Sequence, residues 1–236
     1  MENDIENNKF GNPKLIAGAI IIVGVLIAGA ILLRGKTPTE NKGVEAKNDN
    51  AALTQVGTVN TEDHVLGNAD AKVTMVEYAD YQCPFCGKFF KETTEPILNT
   101  YVKEGKVKFI YRDFAFLGPE SFKSAEAVAC AGDQNKYWEF HNFLFTHQNG
   151  ENQGAFADTN LKTFAKQLGL DSATFDKCLD SGKYTQAVKD STTKAGTYDV
   201  KGTPKSFIIK DGKVVDTVDG AYPLEAVKAK LDAALK

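Results

Sequence analysis

Val73-Thr74-Met75-Val76-Glu77-Tyr78-Ala79 runs through Asp80-Tyr81-Gln82 into Cys83-Pro84-Phe85-Cys86, and Gly87-Lys88-Phe89-Phe90-Lys91-Glu92 follows. The first segment carries apolar residues on both faces, as a central strand needs, and the last reads as the opening of a helix. Two sulfurs three positions apart at a helix start lie about one turn apart, so they can close a disulfide or open to two thiols with little backbone movement. With Pro84 at the first helical position, Cys83 becomes the N-cap and its sulfur faces the unpaired amides of the first turn, that of Cys86 included. Such an environment lowers a thiol pKa from about 8.5 to between roughly 3.5 and 7.5. Cys83 is therefore assigned as the exposed nucleophile or leaving group and Cys86 as the recessed partner.

Two plainer readings compete. A zinc site wants four ligands, but Cys130 and Cys178 are isolated, and His64, His141 and His147 show no spacing that completes a set, so no metal is expected. An inert structural disulfide between Cys83 and Cys86 is the stronger of these two alternatives, and both stand below the redox reading.

The composition, 42% hydrophobic and 25% charged over 236 residues, is that of a globular protein with one sizeable core and accessory segments. A net charge of −3 gives no reason to expect nucleic-acid binding. Leu15 to Leu33 is uncharged and long enough to cross a bilayer core. A cleaved signal peptide is the competing reading, but its apolar region spans only roughly 7–15 residues, and the small-residue triplet Ala28-Gly29-Ala30 lies inside the run. The lysines and arginine on either side do not decide orientation. Redox chemistry with two disulfides belongs on the oxidising side, which puts residues 1–14 in the cytoplasm and the large C-terminal part outside, on a single-pass anchor at 15–33. Residues 34–55 are too polar to fold and read as a linker.

The folded unit is expected to start near Gln55-Val56-Gly57. The helix opened at Cys83 should run to about Val102, kinked at Pro96 and ended by Gly105, before the strand Val107-Lys108-Phe109-Ile110-Tyr111, parallel to the first. From 118 to 196 the pattern is helical throughout, with helices over 121–131, 137–147, 160–168, 172–179 and 184–195. Strand character returns at Lys205-Ser206-Phe207-Ile208-Ile209, turns at Asp211-Gly212, and continues through Lys213 to Val218, a hairpin signal. An amphipathic helix closes the chain, with Pro223 in its first turn. The sheet parts, 56–117 and 197–236, thus flank an all-helical insertion, 118–196.

The order of strand, Cys-x-x-Cys, helix, strand, helical insertion, Thr-Pro turn, hairpin and final helix resembles the thioredoxin fold in its DsbA-like, disulfide-oxidoreductase form. The likeness covers about 55 to 236 and rests on 76–86, Ala127-Val128-Ala129-Cys130-Ala131, Tyr137-Trp138-Glu139-Phe140-His141, Phe175-Asp176-Lys177-Cys178-Leu179 and Val200-Lys201-Gly202-Thr203-Pro204. With the apolar N-terminal run the chain is similar to the membrane-tethered members. The fold class expected is α/β, a thioredoxin fold with a helical insertion after one transmembrane helix. The resemblance implies a cis Thr203-Pro204 bond facing the two sulfurs, with Thr203, Pro204, Pro84 and Phe85 at the substrate. It also implies a proton-transfer role for Glu77 and a structural disulfide between Cys130 and Cys178; two separate buried thiols are the alternative there.

Burial of Glu77 in mid-strand would raise its pKa and let it exchange a proton with Cys86. Phe85 stands where the strongest oxidants of the family carry histidine, so the disulfide should be less oxidising. His141 and His147 read as ordinary residues of the insertion. The activity implied is introduction of disulfides into reduced exported proteins. The exchange needs no metal or organic cofactor, and a DsbB-like quinone-linked membrane protein is expected to reoxidise the pair. A reductase or isomerase, or a tethered peptide-binding holdase, are the rival readings.

Overall fold

The computed structural model describes residues 55–236. The expected tail, membrane span and all but the last residue of the linker lie outside them. Among the described residues no helix is long and apolar enough to cross a membrane. The strands are β1 (Val65–Leu66), β2 (Val73–Ala79), β3 (Val107–Asp113), β4 (Lys205–Lys210) and β5 (Lys213–Asp219), in the order β1-β3-β2-β4-β5. β2 runs parallel to β3 and antiparallel to β4, so Val73 to Tyr78 are held from both sides; Glu77 lies between Tyr111 and Ser206.

Every residue of β2 is buried, because both faces of the sheet are covered. Met75, Phe109 and Ile208 face one core with Phe89, Ile97 and Leu231. Val76, Tyr78, Ile110 and Phe207 face a second one with Val56, Tyr198 and Val200. Full burial of such side chains stabilises by about 1.5–3 kcal/mol each. The absence of polar and apolar alternation in the sequence of β2 is the direct trace of this placement.

Helix α1 spans four consecutive stretches, Pro84–Phe89, Phe90–Thr94, Glu95–Ile97 and Leu98–Val102. The second and fourth are π-type: the Glu95 amide reaches back to the Phe90 carbonyl, and Lys103 to Leu98. Pro96 has no N–H to give, so the widened turns on either side are how this helix accommodates it. The helix continues through the position where the kink is expected, with a π-type stretch before and after Pro96.

The insertion holds α2 (Pro119–Gly132), α3 (Tyr137–Thr146), α4 (Asp158–Gln167), α5 (Ser172–Asp180) and α6 (Thr185–Thr197). Asp171 caps α5 through the Thr174 amide. Cys130 of α2 and Cys178 of α5 are joined by a disulfide, with Cα atoms 5.9 Å apart. Asp211 and Gly212 both take positive φ, the two-residue turn that suits the twist of the β4–β5 hairpin. α7 (Leu224–Leu235) closes the fold, with Pro223 as its N-cap rather than within its first turn.

The short strand β1 was not anticipated. Two residues of antiparallel pairing, Val65 with Ile110 and Leu66 with Phe109, are too brief to show as a pattern. What holds this segment is Arg112, whose guanidinium forks onto both Asp63 carboxylate oxygens at 2.8 and 2.7 Å. The same group donates to the Val56 and Thr58 carbonyls and to the Tyr78 hydroxyl. Val56 is fully buried.

Candidate redox-active site

β2 delivers the chain to the mouth of α1 through a tight turn in which the Cys83 amide donates to the Asp80 carbonyl at 3.0 Å. Cys83 is the N-cap in extended conformation and Pro84 occupies the first helical position, as the spacing requires. Both cysteines are free thiols. Cys86 is completely buried, and Cys83 is only 5% exposed. Cys83 is therefore less open than expected, because the Thr203-Pro204 corner packs against it: its Sγ donates to the Thr203 carbonyl at 3.5 Å. The Thr203-Pro204 bond is cis. Pro84 is exposed and Phe85 is 65% exposed beside the recessed sulfur.

The two thiols differ in acidity. A hydrogen bond from the Cys86 thiol is the largest influence lowering Cys83 to about 6; burial opposes it, while Thr203 and the amides of Phe85 and Cys86 assist. Those amides face the sulfur without forming a full capping bond in the thiol state. Cys86 moves the other way, well above the usual thiol range, first through burial, then through its hydrogen bond to Cys83 and that neighbour's charge. One sulfur is thus a stable anion near neutral pH and the other holds its proton.

Glu77 is buried, and burial pushes its carboxyl up to about 7 against the pull of a hydrogen bond from Thr94 at 2.8 Å. Thr94 lies two turns beyond Cys86 on α1, so the carboxyl's hydrogen bond is made with the middle of the helix and not with the cysteine. Ser206, its cross-strand partner, has a buried hydroxyl with no hydrogen-bond partner among the described residues.

Asp80, in the loop before the motif, escaped the sequence reading. Its carboxylate accepts from the amides of Gln82, Phe116 and Leu117 at 2.8, 2.9 and 3.2 Å and from the Ser121 hydroxyl at 2.7 Å. Gln82 adds contacts to Ser121 and Asn152, and Gln148 to the backbone of Tyr81 and Cys83. An acidic residue two positions before a turn amide is a recognisable Asx-turn signal, which covers Asp80; the tertiary partners leave no local signal. His141 is more than an ordinary insertion residue. It is buried with Nδ1 2.9 Å from the Tyr81 hydroxyl, and burial lowers its pKa to about 3, so it stays neutral and contributes packing rather than charge. His147 stacks on Phe143, with ring centroids 3.7 Å apart.

A groove of about 390 Å³ runs beside the cis-proline, lined by Asp199, Lys201, Thr203, Pro204, Lys205 and Asp219. A second cavity, of about 480 Å³, lies between residues 60–64, the end of β3 and helices α2 and α6, and none of the redox residues lines it. Among the described residues no group of three or more His, Cys, Asp or Glu side chains is placed to hold a metal.

A thioredoxin family model matches residues 59–233. The chain belongs to the thioredoxin family. Crystalline oxidised BdbD from Bacillus subtilis superposes with a TM-score of 0.67 at 24% identity, covering 74% of this chain and 93% of that one, which shows the DsbA-like fold. A Rickettsia bellii protein named for protein-disulfide oxidoreductase activity is 24% identical over 203 residues, 85% of this chain and 75% of its own length. The Na(+)/H(+) antiporter NhaA 1 of Salinispora arenicola is 30% identical over 175 residues, 73% of this chain and 24% of the antiporter. The chain thus spans about a quarter of the length of the antiporters it matches, and the transport activity in their names belongs to those longer proteins.

Proposed function

We propose that this member of the thioredoxin family is a thiol-disulfide oxidoreductase that introduces disulfides into exported proteins through Cys83 and Cys86. The observation that carries the reading is the opposed acidity of the two sulfurs at one helix mouth, Cys83 near 6 and Cys86 far above it, beside the Thr203 carbonyl. In the oxidised protein a substrate thiolate attacks Cys83 Sγ. The Cys83–Cys86 bond breaks, a substrate–Cys83 disulfide forms, and Cys86 leaves with the electron pair and takes a proton. The substrate's second thiolate then attacks its own mixed sulfur and expels Cys83 as a thiolate, so the substrate is oxidised and the protein reduced. An acidic Cys83 favours this direction because it is the better leaving group.

The Thr203 carbonyl, which holds the reduced thiol, is freed in the mixed disulfide and is placed to accept from an extended substrate backbone, with exposed Phe85 offering apolar contact. Glu77, held near 7, supplies and recovers the Cys86 proton. The Cys130–Cys178 disulfide suits an oxidising compartment. That bond and the apolar run 15–33 support an extracytoplasmic domain on a single-pass membrane anchor. Reoxidation then falls to a DsbB-like quinone-linked membrane protein, and a shared membrane raises the effective concentration of the pair.

Equilibration with glutathione tests the direction. A potential well above thioredoxin's, about −270 mV, together with oxidative refolding of a reduced substrate that Cys83→Ser abolishes, is the expected result. A thioredoxin-like potential points to a reductase, and refolding assistance that survives Cys83→Ser to a holdase. Labelling of the reduced thiols in intact cells by a membrane-impermeant maleimide checks the compartment.

A further inference from the structure

We infer that Gln148, on the loop that leaves α3, is a positioning residue for the redox turn, its carboxamide clamping the Tyr81 and Cys83 carbonyls from the insertion side. This deepens the thiol-disulfide reading and rests on it. The Gln148 Nε2 group donates to Tyr81 O at 2.6 Å and to Cys83 O at 3.1 Å. The Cys83 carbonyl also receives the Gly87 amide at 3.0 Å, so both its lone pairs are occupied, and Pro84 between them has no donor to compete.

An independent mark of the contact is Gly87. It sits in the first turns of a helix, where glycine costs about 1 kcal/mol relative to alanine, and its backbone does not take the positive φ that would call for glycine. A Cβ there would run into the Gln148 side chain. The glycine is the gap through which the clamp reaches the backbone.

The mount is rigid. α3 stacks on α1 through Phe145 on Phe90, with ring centroids 5.1 Å apart, and His141 of the same helix meets the Tyr81 hydroxyl. Gln148 follows two residues after the end of α3, so the insertion sets where the carboxamide lies. By neutralising the Cys83 carbonyl and fixing the turn, the clamp keeps the Phe85 and Cys86 amides aimed at the sulfur. The insertion thereby tunes the thiolate without touching it.

The test follows ultraviolet thiolate absorbance with pH, and the glutathione equilibrium, in the full chain carrying Gln148→Ala, Gln148→Glu, Gly87→Ala or Gln148→Ala with Gly87→Ala. Loss of one buried hydrogen-bond donor corresponds to roughly a two- to tenfold fall in Cys83 acidity. Gln148→Ala is expected to raise the pKa and lower the potential by that factor. Gln148→Glu, of equal size but without donors when ionised, should do at least as much. Gly87→Ala, which touches neither sulfur, should mimic Gln148→Ala and add nothing in its presence. The inference is overturned if Gln148→Ala or Gln148→Glu leaves both readouts unmoved, or if the two alanine effects add. Both quantities are read on the thiols themselves, so an absence of exchange activity in the unaltered protein would count against the proposed function and not against the clamp.

Discussion

At the scale of single residues, two buried acids carry opposite assignments. Cys83 is drawn down to about 6 chiefly by the Cys86 thiol, so Cys86→Ala should move the Cys83 absorbance transition upward, and an unchanged transition would remove that hydrogen bond as its main cause. Glu77 is pushed up to about 7 from 4.5 by burial. Its folded pKa exceeds the unfolded one, so the folded state keeps a proton that the unfolded chain sheds. Stability associated with this group is full below about 4.5 and falls as pH rises through 7. Glu77→Gln keeps the neutral form, and its stability relative to the unaltered protein should rise by about 3 kcal/mol between those limits. Denaturant titrations at acid and mildly alkaline pH measure the difference, in which shared titrations such as that of Asp113 cancel. A constant difference would place the proton elsewhere.

Among elements, legibility tracked how local the cause was. β2 was readable to the residue because burial on both faces writes apolar residues at both odd and even positions, and the β4–β5 hairpin because Asp211-Gly212 names its own turn. The mouth of α1 followed from Pro84 alone. The π-type stretches flanking Pro96 were not readable, since proline announces a missing donor but not how the ladder absorbs it. Asp63 and Arg112 gave no signal either, being distant in sequence and each unremarkable in its segment. The structure makes them the fastening of residues 56–66 to the sheet. Arg112→Met should cost about 3–5 kcal/mol by leaving the Asp63 carboxylate buried without its counter-charge, with only the Asn60 amide to bond it, and adding Asp63→Asn should recover much of that loss. Melting curves of the single and double variants separate this from simple loss of packing, which the second change would not repair.

For the molecule as a whole, the insertion is bound to the sheet domain at the place where chemistry is expected. Asp80, Gln82, Tyr81 and the Cys83 carbonyl all find partners in it. Its own shape depends on the Cys130–Cys178 bond, which closes a loop of 48 residues by sequence separation. By loop-closure entropy that bond is worth about 4 kcal/mol. The double variant Cys130→Ala, Cys178→Ala should lower the denaturation midpoint accordingly and, with less constraint on α2, raise the Cys83 transition as well. A lowered midpoint with an unmoved transition would show that the insertion is stabilised independently of the redox turn.

The hydrogen bond from Cys83 to Thr203 spans 120 positions of chain. During synthesis the paired thiols therefore emerge long before the wall that completes them, and β2 waits for β4 through the whole of the insertion. A polypeptide interrupted before Thr203 possesses the Cys-x-x-Cys turn without the carbonyl that faces its first sulfur. Completion of the site is thereby deferred until the final 34 residues of the 236 have docked.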